Sequence, residues 1–328
     1  VGADEVILIP DAQIKAAGGR IRGQVVSESP VEIKFKLATG PEQAIPVDQI
    51  DSIEYEGLTP SFTLAQSREN TGNWSEAATL FKKAVTEASG KALIAREAQY
   101  REARALATLA QVDPAKAGDA TAALQSFVKA NPASRQLGSA LVQLARLQLD
   151  GPNPERAEAT LTELTSKVPA AAARAAVLRG RVLSRQGKYT EAVTAFDQLI
   201  ATAPGASAQS REAKLAKAEA LAGAKKFDES RDVVLEVIKN APPEDSEIQA
   251  VAHNTLGDCL RAAGRPKDAL LAYLKTDVLF DRDKSEHPRA LARIEEIFRL
   301  LKRDKDADEV RERHRQLYPQ SPYLAANK

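Results

Sequence analysis

The sequence is poor in the side chains that most often carry covalent, metal or stacking chemistry. Of 328 residues, one is cysteine, none is methionine, three are histidine, and aromatic residues make up 5%. A single thiol, Cys259, excludes an intrachain disulfide and any cysteine-cluster metal site; it leaves the compartment open, because exported proteins without disulfides are common. Neither sign of charge dominates. Lys and Arg total 46 against 45 Asp and Glu, with a pI of about 7.9, so no overall field draws the chain to nucleic acid or to an acidic membrane. No apolar run is long enough to span a bilayer. A nucleic-acid partner and a membrane span are therefore not expected.

The catalytic patterns that can be sought are also missing. His253, His287 and His314 form no His-Glu-x-x-His motif and share no helix face with a carboxylate pair, so they read as surface or helix-end residues. Gly18 and Gly19, with Gly23, lack the spacing of a phosphate loop and lead into a strand, which makes them a turn. Glu295 and Glu296, like Asp308 and Glu309, are adjacent in sequence, diverge around a helix and read as solvated faces. Cys259 reads as a buried structural thiol. Neither an enzymatic role nor a cofactor is expected. The sequence opens on Val1 and holds no Met, so its start is read as either a processed end behind a removed signal peptide or a trimmed one; a periplasmic or extracellular location is expected, with a cytoplasmic one as the alternative.

What the chain has in quantity is alanine, and its distribution is uneven. Six of 59 alanines fall in residues 1–60, and that segment alternates as strands do. Val31, Ile33, Phe35 and Leu37 point one way while Glu32, Lys34 and Lys36 point the other; Ile21, Gly23 and Val25 follow the same rule. With Val6-Ile7-Leu8-Ile9, a strand over 44–47 and another over 52–56, about five short strands fit a small closed barrel over residues 1–57. The all-apolar strand Val6, Ile7, Leu8, Ile9 lies inside that barrel or is covered by a neighbouring copy, so these four residues are the expected contact of a homo-oligomer or filament.

Beyond Pro60 a small residue followed four places later by a large one recurs: Ala77/Phe81, Ala120/Leu124, Ala157/Leu161, Ala192/Phe196, Ser230/Val234, Ala269/Tyr273 and, imperfectly, Ala307/Arg311. Pro132, Pro169, Pro204, Pro242 and Pro319 each stand twelve places after an anchor, where a residue without an N–H donor ends a helix. Gly72, Gly187 and Gly264 precede their anchors by a common offset and supply a left-handed turn. Ala65, Ala145, Gly180, Ala218 and Gly257 stand twelve places before, and allow close helix approach. Glu295 occupies that place in the last repeat. Each repeat is thus a helix, a tight turn, a second helix and a stop.

This pattern resembles the tetratricopeptide repeat, most fully in Gly187-Lys188-Tyr189-Thr190-Glu191-Ala192 with Phe196 and Pro204, and in Leu256-Gly257 with Gly264 and Ala269. The run from Arg20 to Val25 and from Ile45 to Ile53 resembles the Sm-like barrels that precede some bacterial envelope repeat proteins. RNA binding is not carried over, since residues 1–60 hold ten acids and five bases. The resemblance implies a mainly α chain, a right-handed solenoid of about seven helix pairs over residues 58–328. It also implies a scaffold whose concave groove binds a protein partner. The family's groove positions fall on Arg146; on Arg174, Arg181, Ser184 and Arg185; on Glu212 and Glu219; and on Asp258 and Arg261. Arg146, Arg174, Arg181 and Arg185 are the expected binding set, and Glu212 and Glu219 are their expected competitors for charge. A self-assembling structural subunit is the second reading.

Overall fold

The computed structural model describes residues 3–324 apart from 11, 204, 206, 285 and 320, so Val1 and Pro204 lie outside the described residues. The chain forms two compact units, residues 1–172 and 173–328.

The first unit opens with five strands: β1 (Asp4–Leu8), β2 (Arg20–Glu28), β3 (Glu32–Leu37), β4 (Glu42–Pro46) and β5 (Ile50–Glu54). All pairings are antiparallel, in the order β4-β3-β2-β1-β5. The expected closed barrel is not what forms. A single 3-10 turn, Val47–Gln49, separates β4 from β5, and β5 pairs with β1, so β4 and β5 are the two edges of an open sheet. Closure is not needed to keep the apolar face dry, because helices cover it. Val6, Ile21, Val25, Ile33, Phe35, Ile45 and Ile53 share one core with Phe62, Phe81 and Ile94 from the helices that follow. Each such side chain fully buried contributes about 1.5–3 kcal/mol. Gly23 has a local reason: a β-carbon there would stand 2.0 Å from the Lys36 carbonyl oxygen and 2.7 Å from the Phe35 ring.

Six helices complete the unit: α1 (Pro60–Asn70), α2 (Trp74–Glu87), α3 (Ala92–Val112), α4 (Ala117–Ala130), α5 (Leu137–Asp150) and α6 (Arg156–Lys167). The second unit holds α7 (Ala172–Arg185), α8 (Tyr189–Thr202), α9 (Ala208–Gly223), α10 (Phe227–Asn240), α11 (Ser246–Ala262), α12 (Pro266–Leu279), α13 (Glu286–Leu300) and α14 (Asp304–Leu317). The described residues therefore contain the seven expected helix pairs. Local chemistry sets their ends. Thr59 accepts the Phe62 amide at 3.2 Å and Pro60 starts α1; Asp245 caps α11 through the Ile248 amide. Pro132, Pro169, Pro242 and Pro319 each stand two residues beyond a helix.

The small and large anchors meet as partners. A β-carbon on Gly180 would lie 2.4 Å from the Phe196 ring, and one on Gly257 would lie 2.5 Å from the Tyr273 ring. At these two positions only glycine leaves room for the aromatic side chain sixteen residues later, whereas the first repeat seats Phe81 beyond Ala65 with both buried. The last repeat solves the same problem differently: the Arg311 guanidinium pairs with Glu295 at 3.0 Å, and Arg299 adds a second cation at 3.7 Å. Glu295 is 2% exposed, so the expected solvated face is wrong at this residue. The arginine sixteen residues later reaches it where other repeats place an apolar anchor.

The turn between paired helices has φ of 75° at Gly72, 76° at Gly187 and 73° at Gly264. At the same offset the fifth and seventh repeats hold Lys225 (φ 62°) and Lys302 (φ 60°). A side chain in this region strains against its own backbone, which glycine avoids. Lys225→Gly and Lys302→Gly are each expected to stabilise the chain by about 0.5–1 kcal/mol, the gain being reduced by the looser unfolded chain. An unchanged or lower urea midpoint for both variants would contradict this.

Candidate functional site

The groove positions expected from the repeat pattern fall on the first helix of each pair. Arg174, Arg181 and Arg185 lie on α7, spaced seven and then four positions apart; Arg146 lies on α5 in the first unit and is exposed. Arg174 and Arg185 are exposed and Arg181 is half-buried. Arg181 reaches Glu219 on α9 at 3.9 Å, with both side chains substantially open to solvent. Arg174 has no carboxylate within ion-pair distance among the described residues. One of the expected internal pairings is therefore present, in a long and exposed form.

Two further expected groove positions, Asp258 and Arg261, are committed within the second unit. Asp258 on α11 pairs with Arg289 and, at 3.6 Å, with Arg293 on α13, and it accepts the Tyr273 hydroxyl at 2.6 Å. Burial and the Asp258 carboxylate both push the Tyr273 hydroxyl far above its ordinary value, so it remains a donor. Arg261 pairs with Glu296 at 3.1 Å, and Glu296 also holds Arg293 at 2.7 Å. These contacts tie neighbouring first helices together. Cys259 is buried, and its thiol donates to the Phe227 carbonyl at 3.4 Å.

Two polar clusters escaped the sequence reading. In the first unit Glu97 on α3 accepts Arg101 at 2.9 Å and Arg135 at 2.6 Å, while Glu69 on α1 holds Arg104 at 2.6 Å and Arg101 at 3.2 Å. Arg96 pairs with Glu28 at the end of β2, so the cluster pins sheet to helices. Burial works to raise the Glu97 carboxyl, but Arg135 and Arg101 outweigh it and hold it below the usual range. The i, i+4 pair Glu97 and Arg101 was the available signal.

The second cluster corrects the histidines, all three of which are buried. His287 bonds Asp277 through Nε2 at 2.8 Å and the Tyr318 hydroxyl through Nδ1 at 2.8 Å, and Arg313 reaches the other Asp277 oxygen at 2.5 Å. His253 stacks on Phe280 with ring centres 5.7 Å apart, and His314 bonds Ser321 at 2.8 Å. These partners stand ten or more residues away in other elements, or in the final turn, where helix periodicity does not reach. Desolvation, with Lys275 nearby, lowers His253 to about 4; desolvation, with His287 and Arg311 nearby, lowers His314 to about 4.

A pH dependence follows. Both rings are neutral in the folded chain at pH values where the unfolded chain binds protons, from about 6.5 down to about 4. Their contribution to stability is complete above pH 6.5 and is lost progressively as pH falls toward 4. Melting curves from about pH 7.5 to about pH 4.5 should show a falling midpoint, and His253→Phe combined with His314→Gln should flatten the slope. An unchanged slope in that variant would refute the assignment.

Among the described residues no group of His, Cys, Asp and Glu could hold a metal ion, and no helix is long and apolar enough to cross a membrane.

A tetratricopeptide-repeat family model matches residues 142–207 and 178–245. No curated protein matches the sequence. Among solved structures, a tetratricopeptide repeat protein from Parabacteroides merdae is similar at a TM-score of 0.52 and 16% identity, covering 81% of this chain and 96% of that one. The apo form of the quorum sensor NprR from B. thuringiensis is similar at 0.54 and 13%, covering 78% and 75%. A Rap protein complexed with Competence and Sporulation Factor is similar at 0.51 and 12%, covering 79% and 76%. At these identities the likeness is one of fold. The chain carries tetratricopeptide repeats in a mainly helical solenoid behind a five-stranded sheet.

Proposed function

We propose that this chain is a non-enzymatic scaffold that binds an acidic, extended segment of a partner protein along its first-helix face, with Arg174, Arg181 and Arg185 receiving carboxylates. Arg146 on α5 belongs to the same expected set. The carrying observation is the state of Arg181: its 3.9 Å contact with exposed Glu219 is of a kind worth about 0–1 kcal/mol, readily exchanged for a better-placed carboxylate. Arg174 and Arg185 extend the charge in both directions along α7. The fold supports a binding role, since one structure sharing it is a Rap protein held in complex with Competence and Sporulation Factor.

A fluorescent, extended peptide rich in Asp and Glu tests this reading. Binding should weaken steeply with salt, and the Arg174→Ala, Arg181→Ala, Arg185→Ala variant should lose at least about tenfold in affinity with its melting temperature nearly unchanged. A fall in stability with peptide binding intact would leave the arginines as internal structure and sink the proposal.

The alternative, self-assembly through Val6–Ile9, meets a specific arrangement. β1 is interior, with Val6 opposite Ile21 on one side and Ile53 on the other, and Val6 and Leu8 are buried. A neighbouring copy would therefore have to meet Ile7 and Ile9, the half-buried members. Light scattering across a concentration series separates the two readings: a concentration-independent monomer favours the scaffold, and large regular assemblies favour the subunit.

A further inference from the structure

The second helix of each repeat keeps two positions exposed in all seven repeats, two and nine residues after the small anchor. Six repeats fill them with polar or small side chains. The earlier position holds Thr79, Ala122, Ala159, Thr194, Asp232 and Glu309, and the later one holds Thr86, Lys129, Ser166, Ala201, Lys239 and Gln316. In α12 they hold Leu271 and Val278, which are 63% and 69% exposed, with Leu279 beside them at 62%. The repeat fold does not require aliphatic groups here, because six sister helices manage without them. An apolar patch on a helix otherwise fixed in its core marks a contact surface.

We propose that this face of α12 docks an amphipathic helix of a partner protein, one whose apolar seam is bordered by acidic residues. Leu271, Leu274 and Val278 follow the three-then-four spacing of a helix-pairing seam. Leu274 packs against the chain's own core and fixes the seam's direction. Lys267 and Lys275 stand one turn before and one turn after Leu271, both exposed and neither paired with a carboxylate among the described residues. Lysines beside such a seam select glutamates on the opposing helix.

A second copy of α12 suits the face less well, since a two-fold antiparallel pairing about the middle of the seam would bring Lys275 against its own counterpart. A lipid surface is also a poorer match. Three aliphatic side chains on a helix held by its other face offer little to insert into a bilayer, where interfacial helices use a broad apolar side.

The probe is a labelled helical peptide of about four heptads with leucines in its seam and glutamates on both flanks, compared with one carrying lysines on the flanks. With the full chain, the glutamate peptide should bind at least about tenfold more tightly than the lysine peptide. Leu271→Glu with Val278→Glu should remove that binding at an unchanged melting temperature, since both residues are exposed. Arg181→Ala should leave it intact, which keeps this surface separate from the groove. The proposal is overturned if neither peptide binds at up to about 1 mM, or if the double variant binds as well as the parent. It also falls if the parent forms a dimer that the variant loses, or sediments with phosphatidylglycerol vesicles while the variant does not.

Discussion

Arg311→Leu is expected to lower stability by about 3 kcal/mol, because it takes from the Glu295 carboxylate, in a nearly closed site, the nearer of the two cations Arg311 and Arg299. Glu295 is 2% exposed, and its contact with Arg299 is the longer of the two, at 3.7 Å against 3.0 Å. The same arginine change should be nearly harmless once Glu295 is alanine. The double variant Glu295→Ala, Arg311→Leu rebuilds the small and large pair of the other repeats, and its stability should return to within about 1 kcal/mol of the parent. Urea unfolding of the two single variants and the double one measures the coupling directly. If the two changes simply add, Glu295 and Arg311 do not replace the apolar pair.

Gly257→Val is expected to cost about 3 kcal/mol, at the upper end of overpacking effects. The added carbons would enter the space of the Tyr273 ring, whose atoms lie 2.5 to 2.8 Å from even a single β-carbon. The ring has no way to retreat: Tyr273 is fully buried and its hydroxyl is held by Asp258 at 2.6 Å. Tyr273→Leu should recover part of the loss when combined with Gly257→Val, although it is destabilising in the parent. Loss of cooperativity in the unfolding curve would accompany the substitution, since neighbouring repeats stabilise each other through shared interfaces. A Gly257→Val chain with an unchanged midpoint would mean that the helices spread apart at little cost.

The helical part was legible because its signals are local. Ala192 and Phe196 share one helix face, Gly187 lies in a turn of its own conformation, and Pro242 ends a helix by chemistry that needs no partner. The strands were legible from alternation in Ile33 and Phe35, but closure was not. Whether β4 meets β5 depends on the path through Val47–Gln49 and on what covers the apolar face, and both are long-range facts. Charged residues were hardest to place. Glu295 looks like Glu296 in sequence, yet one is buried against arginines and the other lies near the surface. His287 finds Asp277 on another helix and Tyr318 thirty-one residues later. The expected groove set rests on phase alone, and phase does not reveal that Asp258 is taken up by Arg289 and Arg293.

The sequence separation between Gly180 and Phe196, between Gly257 and Tyr273, and between Glu295 and Arg311 is the same, and each pair is contained within one repeat. A block containing one whole repeat could therefore be duplicated or lost by unequal recombination without separating any lock from its key. Point changes face the opposite constraint, since either half of a pair altered alone is penalised. A change of length in whole repeats would therefore leave these pairs intact and tax only the junctions, where contacts between repeats such as Asp258 with Arg289 would have to be made anew.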